Sequence, residues 1–359
     1  MARAESEPFL GTTDALTLKK WALKTRKKTL DETIMASLVG GEDAVITDVT
    51  DLQTGGDEVT YPLLANLVGK GVSGNQTLTG NEEDMTFYSD KLRIDHTRHG
   101  VYVGDKLSAQ RNPGLLRNKA SALIADWEAT VVMDPSFFNH AAGYTPANTG
   151  SGNGEENQRG HNTIVAPSRI YRAASIATDE LVAADSTAKI SVAGIDELIE
   201  QANTAGTGAQ GRLRKPSGGW KLLVHWSQFT ELLQEAEMRK IHIAAISGGN
   251  SKEALLSAKT SLMYRDVEII PSNFVPKGVN SSTGAAVNNT RRAIFCGAGA
   301  LSIAYGSGYA GGAWDWEEDD RDFKNKKYVS AGLIWGLKAN VFGSVDYGKI
   351  VYTTYHGNQ

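Results

Sequence analysis

Residues 55–100 read GGDEVTYPLLANLVGKGVSGNQTLTGNEEDMTFYSDKLRIDHTRHG. The runs DEVTYPLLANLV and MTFYSDKLRIDHTRHGVYV are typical of strands, and the stretch between them is dominated by Gly, Asn, Ser and Thr. The sequence therefore predicts a long β-hairpin with an extended tip. An isolated two-stranded hairpin is marginal in water, so we expect another molecule to cover it.

An N-terminal helical arm precedes the hairpin. Leu16, Leu23 and Leu30 lie seven residues apart, which predicts one apolar stripe on a helix that ends before Gly40 and Gly41. The other faces of this helix carry several lysines and arginines. Such a face could contact nucleic acid or phospholipid, but a charged helix face is more often solvated, and we favour the solvated interpretation.

A long helix follows the hairpin. In the segment NPGLLRNKASALIADWEATVVMDP (residues 112–135), Asn112 is a suitable cap and Pro113 suits the first helical position. The segment predicts about six turns, roughly 33 Å of helix. Because proline lacks a backbone N–H, we expect a kink at Pro135 or a new helix that Asp134 caps. The residues predicted on the buried face are Leu116, Ala120, Leu123 and Trp127.

A second unit of mixed α and β structure begins near Ser191. This serine caps a predicted helix, SVAGIDELIEQANTA, which turns Ile195 and Leu198 inward. The strand WKLLVHW and a helix from Ser227 follow, and DVEIIPS and RRAIFCGAGALSIAY predict further strands. The terminal runs KKYVSAGLIWGLKANVF and DYGKIVYTTY also predict strands, which we expect to pack with the long helix.

The composition is that of a folded globular protein. The chain has 359 residues and a mass of 38.5 kDa, with 41% hydrophobic and 22% charged residues and a mean hydropathy of -0.30. These values predict two or three packed units and exclude the disordered, collagen-like and disulfide-rich classes. The net charge of -4 excludes a general electrostatic attraction to nucleic acid or to anionic membranes.

The composition also restricts the cellular compartment in which we expect the protein. Cys296 is the single cysteine, so an internal disulfide and a multi-cysteine zinc site are excluded. The first residues lack an apolar core of signal-peptide length, and no run of about eighteen apolar residues occurs. We therefore expect an aqueous, reducing compartment and no membrane partner.

The sequence around each candidate catalytic motif does not support a catalytic role. Residues 306–311 read GSGYAG, the dinucleotide-binding pattern, but AWDWEEDD follows where that motif requires a helix. His96 and His99 are predicted on opposite faces of a strand, so they cannot easily share a metal ion. Cys296 lies in an apolar strand, where a buried inert thiol is expected. We therefore predict no catalytic residues, no cofactor and no metal site.

Charged clusters favour contacts between subunits. The acidic run from Asp315 to Asp322 could hold a hard cation, but it lacks EF-hand spacing and lysines follow it, so we favour a salt-bridged or intersubunit surface. Acidic residues assigned to the hairpin base and basic residues on its second strand would suit pairing across a subunit boundary. The residues predicted at such contacts are Lys70, Glu82, Glu83, Arg93, Arg98, Asp319 and Asp320.

Three stretches together resemble a known family. LTGNEEDMTFYSDKLRIDHTRHGV (residues 78–101), followed by LIADWEATVVMDPSFFNHAAG (residues 123–143), resembles the N4-like family of major capsid proteins of tailed phages. WKLLVHWSQFTELLQEAE (residues 220–237) resembles the strand and helix of that family's inserted domain. Pro135 departs from the family pattern, in which the helix would run on toward Phe137 and Phe138.

This resemblance implies an α+β phage major capsid fold, the Johnson fold. Its parts are an N-terminal arm, an extended β-hairpin loop, a peripheral domain with a long spine helix, and an inserted axial domain. The implied divisions are 1–54 for the arm, 55–100 for the extended loop, 101–190 and 320–359 for the peripheral domain, and 191–319 for the axial domain.

The resemblance also implies a structural protein and not an enzyme. Its subunits would form hexamers and pentamers that close into an icosahedral shell around double-stranded DNA, in a virion assembled in the host bacterial cytoplasm. The implied partners are separate scaffold and portal proteins, a possible decoration protein, and DNA without sequence-specific contact. Some family members cross-link Lys to Asn, but one sequence cannot place the groups that such a bond through Lys70 would need.

Two alternatives stay open at this point. An encapsulin-type nanocompartment shell has similar subunits, although these are usually shorter. A cytosolic dinucleotide-binding enzyme would use the GSGYAG turn, and tight dinucleotide binding by a small oligomer would identify it.

Overall fold

The computed structural model describes residues 15–64, 71–85, 87–111, 116–146, 162–204, 211–240, 262–307 and 312–357. The α-helices with assigned bounds are α1 (Ala15–Glu32), α2 (Lys106–Arg111), α3 (Leu116–Trp127), α4 (Asp134–Ala142), α5 (Asp179–Ala184), α6 (Val192–Asn203) and α7 (Trp226–Gln234). A π-helical segment, Glu128–Met133, joins α3 to α4, and short 3-10 helices span Met35–Leu38, Asp51–Thr54 and Ala173–Ser175.

The strands are β1 (Val39–Gly40), β2 (Ile46–Val49), β3 (Glu58–Leu64), β4 (Phe87–Arg93), β5 (Asp95–Asp105), β6 (Ile170–Arg172), β7 (Trp220–Val224), β8 (Leu262–Tyr264), β9 (Val267–Pro271), β10 (Gly278–Val279), β11 (Ala286–Val287), β12 (Thr290–Cys296), β13 (Leu301–Tyr305), β14 (Trp314–Arg321), β15 (Lys326–Ala339), β16 (Val341–Phe342), β17 (Val345–Asp346) and β18 (Lys349–Tyr355).

Two six-stranded sheets organise the chain. The first has the order β1-β2-β13-β15-β14, and β5 pairs with the opposite edge of β15. The second has the order β6-β18-β12-β7-β9-β8. Every residue of β12 is buried, because alternate side chains of this strand enter two apolar cores, one that contains Phe137 and Phe138 and one that contains Ile195 of α6.

The spine helix, defined here as residues 116–142, is continuous through Pro135. Asp134 keeps helical dihedrals (φ -64°, ψ -47°), and its N–H bonds to the carbonyl of Ala129, five residues back. This π spacing shifts the hydrogen-bond ladder so that Pro135 falls in the first turn of α4, where a missing N–H costs little. The predicted restart is confirmed in part: a new α-helix begins at Asp134 with Pro135 in its first turn, but the backbone stays helical through the junction and Asp134 does not cap α4.

The predicted buried faces of the arm and of the spine need correction. Leu23 is 62% exposed on α1, and the side of α1 that meets the spine instead carries the buried residues Thr25 and Thr29, which Thr33 follows just beyond the helix. On the spine, Leu123 is exposed and its neighbour Ile124 is buried. The arm packs through hydroxyl groups, and a pattern of apolar residues does not report such contacts. The predicted cap at Asn112 and Pro113 lies outside the described residues.

The second half of the chain follows the sequence pattern more closely. The Ser191 hydroxyl accepts a hydrogen bond from the N–H of Gly194 at 3.1 Å, which confirms the predicted cap of α6. Ile195 and Leu198 are buried as expected.

The terminal strands divide between the two sheets. β15 lies in the first sheet, while β18 pairs with β12 and β6 in the second. Both terminal runs nevertheless pack with the long helix as expected, because β15 and β18 each contact α4. β14 spans the division at 319/320, and the axial and peripheral limits stay predictions.

Two buried cations hold the C-terminal end of the spine. Lys349 Nζ donates to the carbonyls of His140 and Ala141 at 3.1 and 2.9 Å, and Arg292 donates to the carbonyl of Ala142 at 3.0 Å. Lys349 is completely buried beside Asp346, at 3.4 Å. The last carbonyls of a helix lack partners within the helix and carry its negative dipole end, so both cations satisfy them directly.

We expect Lys349→Met to lower the free energy of unfolding by about 3–5 kcal/mol. The variant would leave Asp346 as a buried charge without its cation and would leave two helix carbonyls without donors. Chemical denaturation measures this change. Lys106→Met, at an exposed position of α2, is the matched control and should change the value by less than about 0.5 kcal/mol. Equal stability of the two variants would contradict the role given to Lys349.

Candidate intersubunit surfaces

The β3–β4 hairpin carries exposed apolar side chains toward its far end. β3 and β4 pair from Glu58↔Arg93 at the base to Leu64↔Phe87 at the far end of the register. Leu78, Met85 and Phe87 are each more than half exposed. Such residues gain free energy when another surface covers them, at about 25 cal/mol per Å² of apolar area.

The hairpin differs from the prediction in two respects. β4 ends at Arg93, and β5 then pairs with β15 in the first sheet, so Arg98 lies opposite Gly332 in that sheet and not on the hairpin. Glu82 and Glu83 lie between the strands at the far end, not at the base. The predicted acidic and basic groups are therefore not brought together within one hairpin base.

Arg93 is engaged inside its own chain. Its Nε lies 2.5 Å from a carboxylate oxygen of Glu58, and Lys91 Nζ lies 2.7 Å from the other oxygen. These two cations hold the pKa of Glu58 below its usual range, mainly through the hydrogen bond from Lys91. Glu82 accepts a hydrogen bond from the N–H of Gly80 at 2.6 Å. Lys70 lies outside the described residues.

Polar contacts fix the base of the hairpin on the first sheet. Lys338 of β15 forms an ion pair with Asp90 of β4, and the N–H of Val341 donates to the same carboxylate at 3.3 Å. The hydroxyl of Tyr61 on β3 donates to Asn340 Oδ1 at 2.7 Å. Both hairpin strands are thus attached to the end of β15 and the turn after it.

The turn between β14 and β15 presents a fully exposed aromatic side chain. Phe323 is fully exposed, and it lies between Asp322 and Lys324; all three residues have a positive φ, between 52° and 64°. Residues with a Cβ rarely adopt this conformation. The turn therefore holds a phenylalanine in water on a constrained backbone, a feature that the sequence prediction missed. A lone phenylalanine inside the charged run DDRDFKNKK was the signal that could have indicated it.

The predicted acidic contacts flank this turn. Asp319 lies 2.7 Å from Arg321, an exposed pair on β14, and Asp320 is exposed opposite Lys327. Lys326 and Lys327 begin β15. Acidic and basic groups thus occupy neighbouring strands at one end of the sheet, where exposed pairs contribute little within the subunit.

The residues considered for catalysis and metal binding have structural environments. His99 stacks on Trp127 of the spine at 4.6 Å, while His96 lies beside Gly332 on the other face of the sheet. Burial raises the pKa of the Cys296 thiol to about 12, which makes it unreactive as a nucleophile at neutral pH. Within the described ranges, no group of three His, Cys, Asp or Glu side chains could hold a metal ion.

Close packing explains the first glycine of the GSGYAG motif. A Cβ on Gly306 would lie 2.5 Å from Ile334 Cγ2 and 2.8 Å from Ile94 Cδ1, so this position has room for glycine alone. Residues 308–311 of the motif lie outside the described ranges. Gly306 therefore has a structural reason that requires no dinucleotide.

Comparisons with known proteins agree on one class. The family model described as phage capsid protein matches residues 10–358. The capsid of Ralstonia phage GP4 has a similar structure, with a TM-score of 0.66 at 24% identity over 91% of this chain and 92% of that one. The cyanophage Pam1 capsid asymmetric unit gives a TM-score of 0.67 at 15% identity, over 92% and 94% of the two chains.

A curated relative matches over a shorter stretch. The major capsid protein of Pseudomonas phage KPP25 is 26% identical over 130 residues, which are 35% of this chain and 34% of that protein. The match therefore spans about a third of the relative's length. Among the helices in the described ranges, none combines the length and the apolar character needed to cross a membrane.

We expect Lys338→Met to lower the free energy of unfolding by about 1–3 kcal/mol, because the poorly exposed Asp90 carboxylate would lose its cation. Lys91→Met removes an exposed lysine from the same hairpin and should change the value by less than about 0.5 kcal/mol. Urea denaturation of both variants compares them. A larger effect for Lys91→Met would show that the hairpin base is held elsewhere.

Proposed function

We propose that this chain, which belongs to the phage capsid protein family, self-assembles as hexamers and pentamers into the icosahedral shell that encloses a double-stranded DNA genome. It is a phage major capsid protein with an α+β fold shared with solved phage capsids, so the expected Johnson fold and capsid family are confirmed. The observation that carries the shell assembly is the hairpin, whose base is anchored while its far end exposes apolar side chains.

Self-association is the simplest way to cover these side chains. Leu78, Met85 and Phe87 are each more than half exposed within the part of the chain that the structure describes. Stable protein interfaces bury roughly 1,200–2,000 Å², and a shell repeats each interface many times, so modest contacts sum to a large stability. A neighbouring subunit supplies the same surface at every position of a shell.

We also propose that the charged residues predicted from the sequence lie at contacts between subunits. Glu82 and Glu83 lie on the far part of the hairpin, and Asp319 and Asp320 flank the exposed Phe323. Arg98 is exposed on β5, whereas Arg93 already pairs with Glu58. Lys70 belongs to the same proposal on sequence grounds alone.

The overall charge suits a container for DNA. A strongly basic lining would neutralise phosphates, release counterions and hold the genome tightly, and a protein with a net charge of -4 avoids this. We propose contact with packaged DNA that is not sequence-specific. Separate scaffold and portal proteins complete the proposed partners, with a decoration protein as an optional addition to the outer surface. The virion is the proposed location, after assembly in the host bacterial cytoplasm, and catalysis is not part of the role.

Deletion of residues 69–80 should leave a folded subunit that does not close shells. The deletion shortens the hairpin beyond its paired strands, so the two sheets keep their contacts. Negative-stain electron microscopy and light scattering, with the candidate scaffold present, measure closure, and circular dichroism measures folding. The double variant Ser73→Ala, Gln76→Ala keeps the length of the tip and should still form shells. Normal shells from the deleted chain would refute the role of the hairpin.

Phe323→Ala should reduce shell formation without a change in the thermal midpoint of the subunit. The ring touches solvent on all sides in the subunit, so its removal costs the fold about 0.5 kcal/mol at most. Truncation of an aromatic residue at the centre of an interface typically weakens the binding free energy by about 2 kcal/mol or more. Phe323→Tyr keeps the ring and should keep assembly. If Phe323→Ala assembles with wild-type yield, Phe323 lies outside every contact between subunits.

A further inference from the structure

A ladder of hydroxyl groups joins α1 to the spine. The Thr25 and Ser121 hydroxyl oxygens lie 3.0 Å apart, and the Thr29 hydroxyl donates to Glu128 Oε2 at 2.9 Å. One turn further along, the Thr33 hydroxyl donates to Asp134. Thr25 and Thr29 are four residues apart on one face of α1, and Thr33, just after α1, continues this face because its N–H bonds to the carbonyl of Thr29 at 3.1 Å. Two of the three steps of this ladder therefore end on a buried carboxyl group.

Glu128 is the more isolated of these two carboxyl groups. It is 2% exposed, and within the described residues its Oε1 has no hydrogen-bond partner. The indole N–H of Trp314 lies beside the carboxyl group and lowers its pKa as a donor, although its geometry is not that of a regular hydrogen bond. Burial raises the pKa of Glu128 to about 7, and the hydrogen bond from Thr29 opposes this rise only in part.

The elements around Glu128 supply no compensating charge at contact distance. On α1, the guanidinium of Arg26 lies over the Trp314 ring at 4.9 Å, and it acts on Asp48 of β2, a carboxyl group whose pKa burial raises. Tyr305 of β13 stacks at 5.1 Å from Trp314. Among the described residues, no cation lies within ion-pair distance of Glu128.

Two further titratable groups lie near Glu128: Asp134 on the spine, and His99 on β5. Asp134 is also buried, but it has three donors: the Thr33 hydroxyl and the N–H groups of Ile34 and Met35, at 3.4 and 3.5 Å. Its pKa is nevertheless raised by burial. His99 of β5 stacks on Trp127, the residue before Glu128. Glu128 thus differs from Asp134 in having one regular hydrogen bond, from Thr29, and no bond from a backbone N–H.

The position of Glu128 in the spine adds a second, independent feature. It is the first residue of the π-helical segment, the place where the hydrogen-bond ladder of the spine changes from four-residue to five-residue spacing. Such segments inside α-helices are frequent at functional sites and have weaker local geometry than a regular helix. A change of charge at Glu128 therefore acts where the spine is least regular.

We propose that α1 docks on the spine when Glu128 is protonated and is loosened when Glu128 ionises. A neutral carboxyl group still accepts from Thr29 and brings no charge into this buried position. An ionised one would be a buried charge with one regular hydrogen bond, the weak donor of the Trp314 indole and no cation, which is costly. Release of the arm hydrates the carboxylate. This device belongs to the isolated chain and does not depend on shell assembly.

Because protonation of Glu128 is linked to docking of α1, the two pKa values give the direction and the upper limit of the pH effect on docking. The pKa of Glu128 is about 7 with the arm docked and is taken as the ordinary 4.5 with the arm released. Docking is therefore fully favoured below pH 4.5 and is lost progressively as the pH rises through 7. Between pH 5.5 and pH 8, these two values give a docking constant that falls by up to about 30-fold.

Hydrogen–deuterium exchange of the full-length chain tests this device. Protection factors of the α1 amides, corrected for the intrinsic pH dependence of exchange, should fall by up to about 30-fold between pH 5.5 and 8 in the wild type. Samples are kept at concentrations where light scattering detects no assembly. The amides of β12, in the second sheet, serve as the internal reference.

Glu128→Gln keeps the acceptor for Thr29, adds a donor and cannot ionise, so α1 should stay protected at both pH values, with less than about a threefold change. Glu32→Gln, a matched change at an exposed position of α1, should keep the wild-type pH dependence. A flat wild-type profile overturns the proposal without any variant. An equal slope in Glu128→Gln overturns it as well. Both readouts are independent of whether shells form.

Discussion

The buried C-terminal end of the spine is the constraint on which the rest of the structure depends. A helix that ends inside a protein must find partners for its last carbonyls, and here Lys349 and Arg292 supply the donors from two neighbouring strands of the second sheet. Asp346 and Asp179 hold these cations in turn. The position of the spine relative to β12 and β18 is therefore set by a closed polar network inside an apolar core.

This network determines where the spine lies and contributes little to the net stability of the fold. Buried ion pairs pay a desolvation cost that is close to their attraction, so stability comes chiefly from the two apolar cores on either side of β12. The pairs do exclude alternative placements, because a shifted spine would leave charges and carbonyls without partners. The spine thereby fixes the position of α1, which bonds to it through Thr25 and Thr29.

The sequence predicts the elements well where apolar residues decide their faces, as in α6 with its Ser191 cap and in β7 and β12. It fails where polar groups replace them. The stripe through Leu23 is wrong because hydroxyls of α1 bond to acids on the spine a hundred residues away. The new helix that begins beside Pro135 is found as predicted, but the π-helical segment before it is not predicted, because no residue pattern marks the change from four-residue to five-residue hydrogen bonding. Phe323 escaped notice because an exposed aromatic residue leaves no periodic signal.

The attachments of the projecting elements share one physical character. The hairpin base is held through Asp90 with Lys338 and through Tyr61 with Asn340, and the arm is held through its threonine hydroxyls. Polar contacts of this kind have low net free energies, because water offers alternative partners to every group that leaves. A small apolar cluster adds to them, since Leu92 of β4 is buried beside Leu52 and Ala304. Leu78 and Met85 lie beyond these contacts and are more than half exposed, so a neighbouring subunit can cover them without disturbing the two apolar cores.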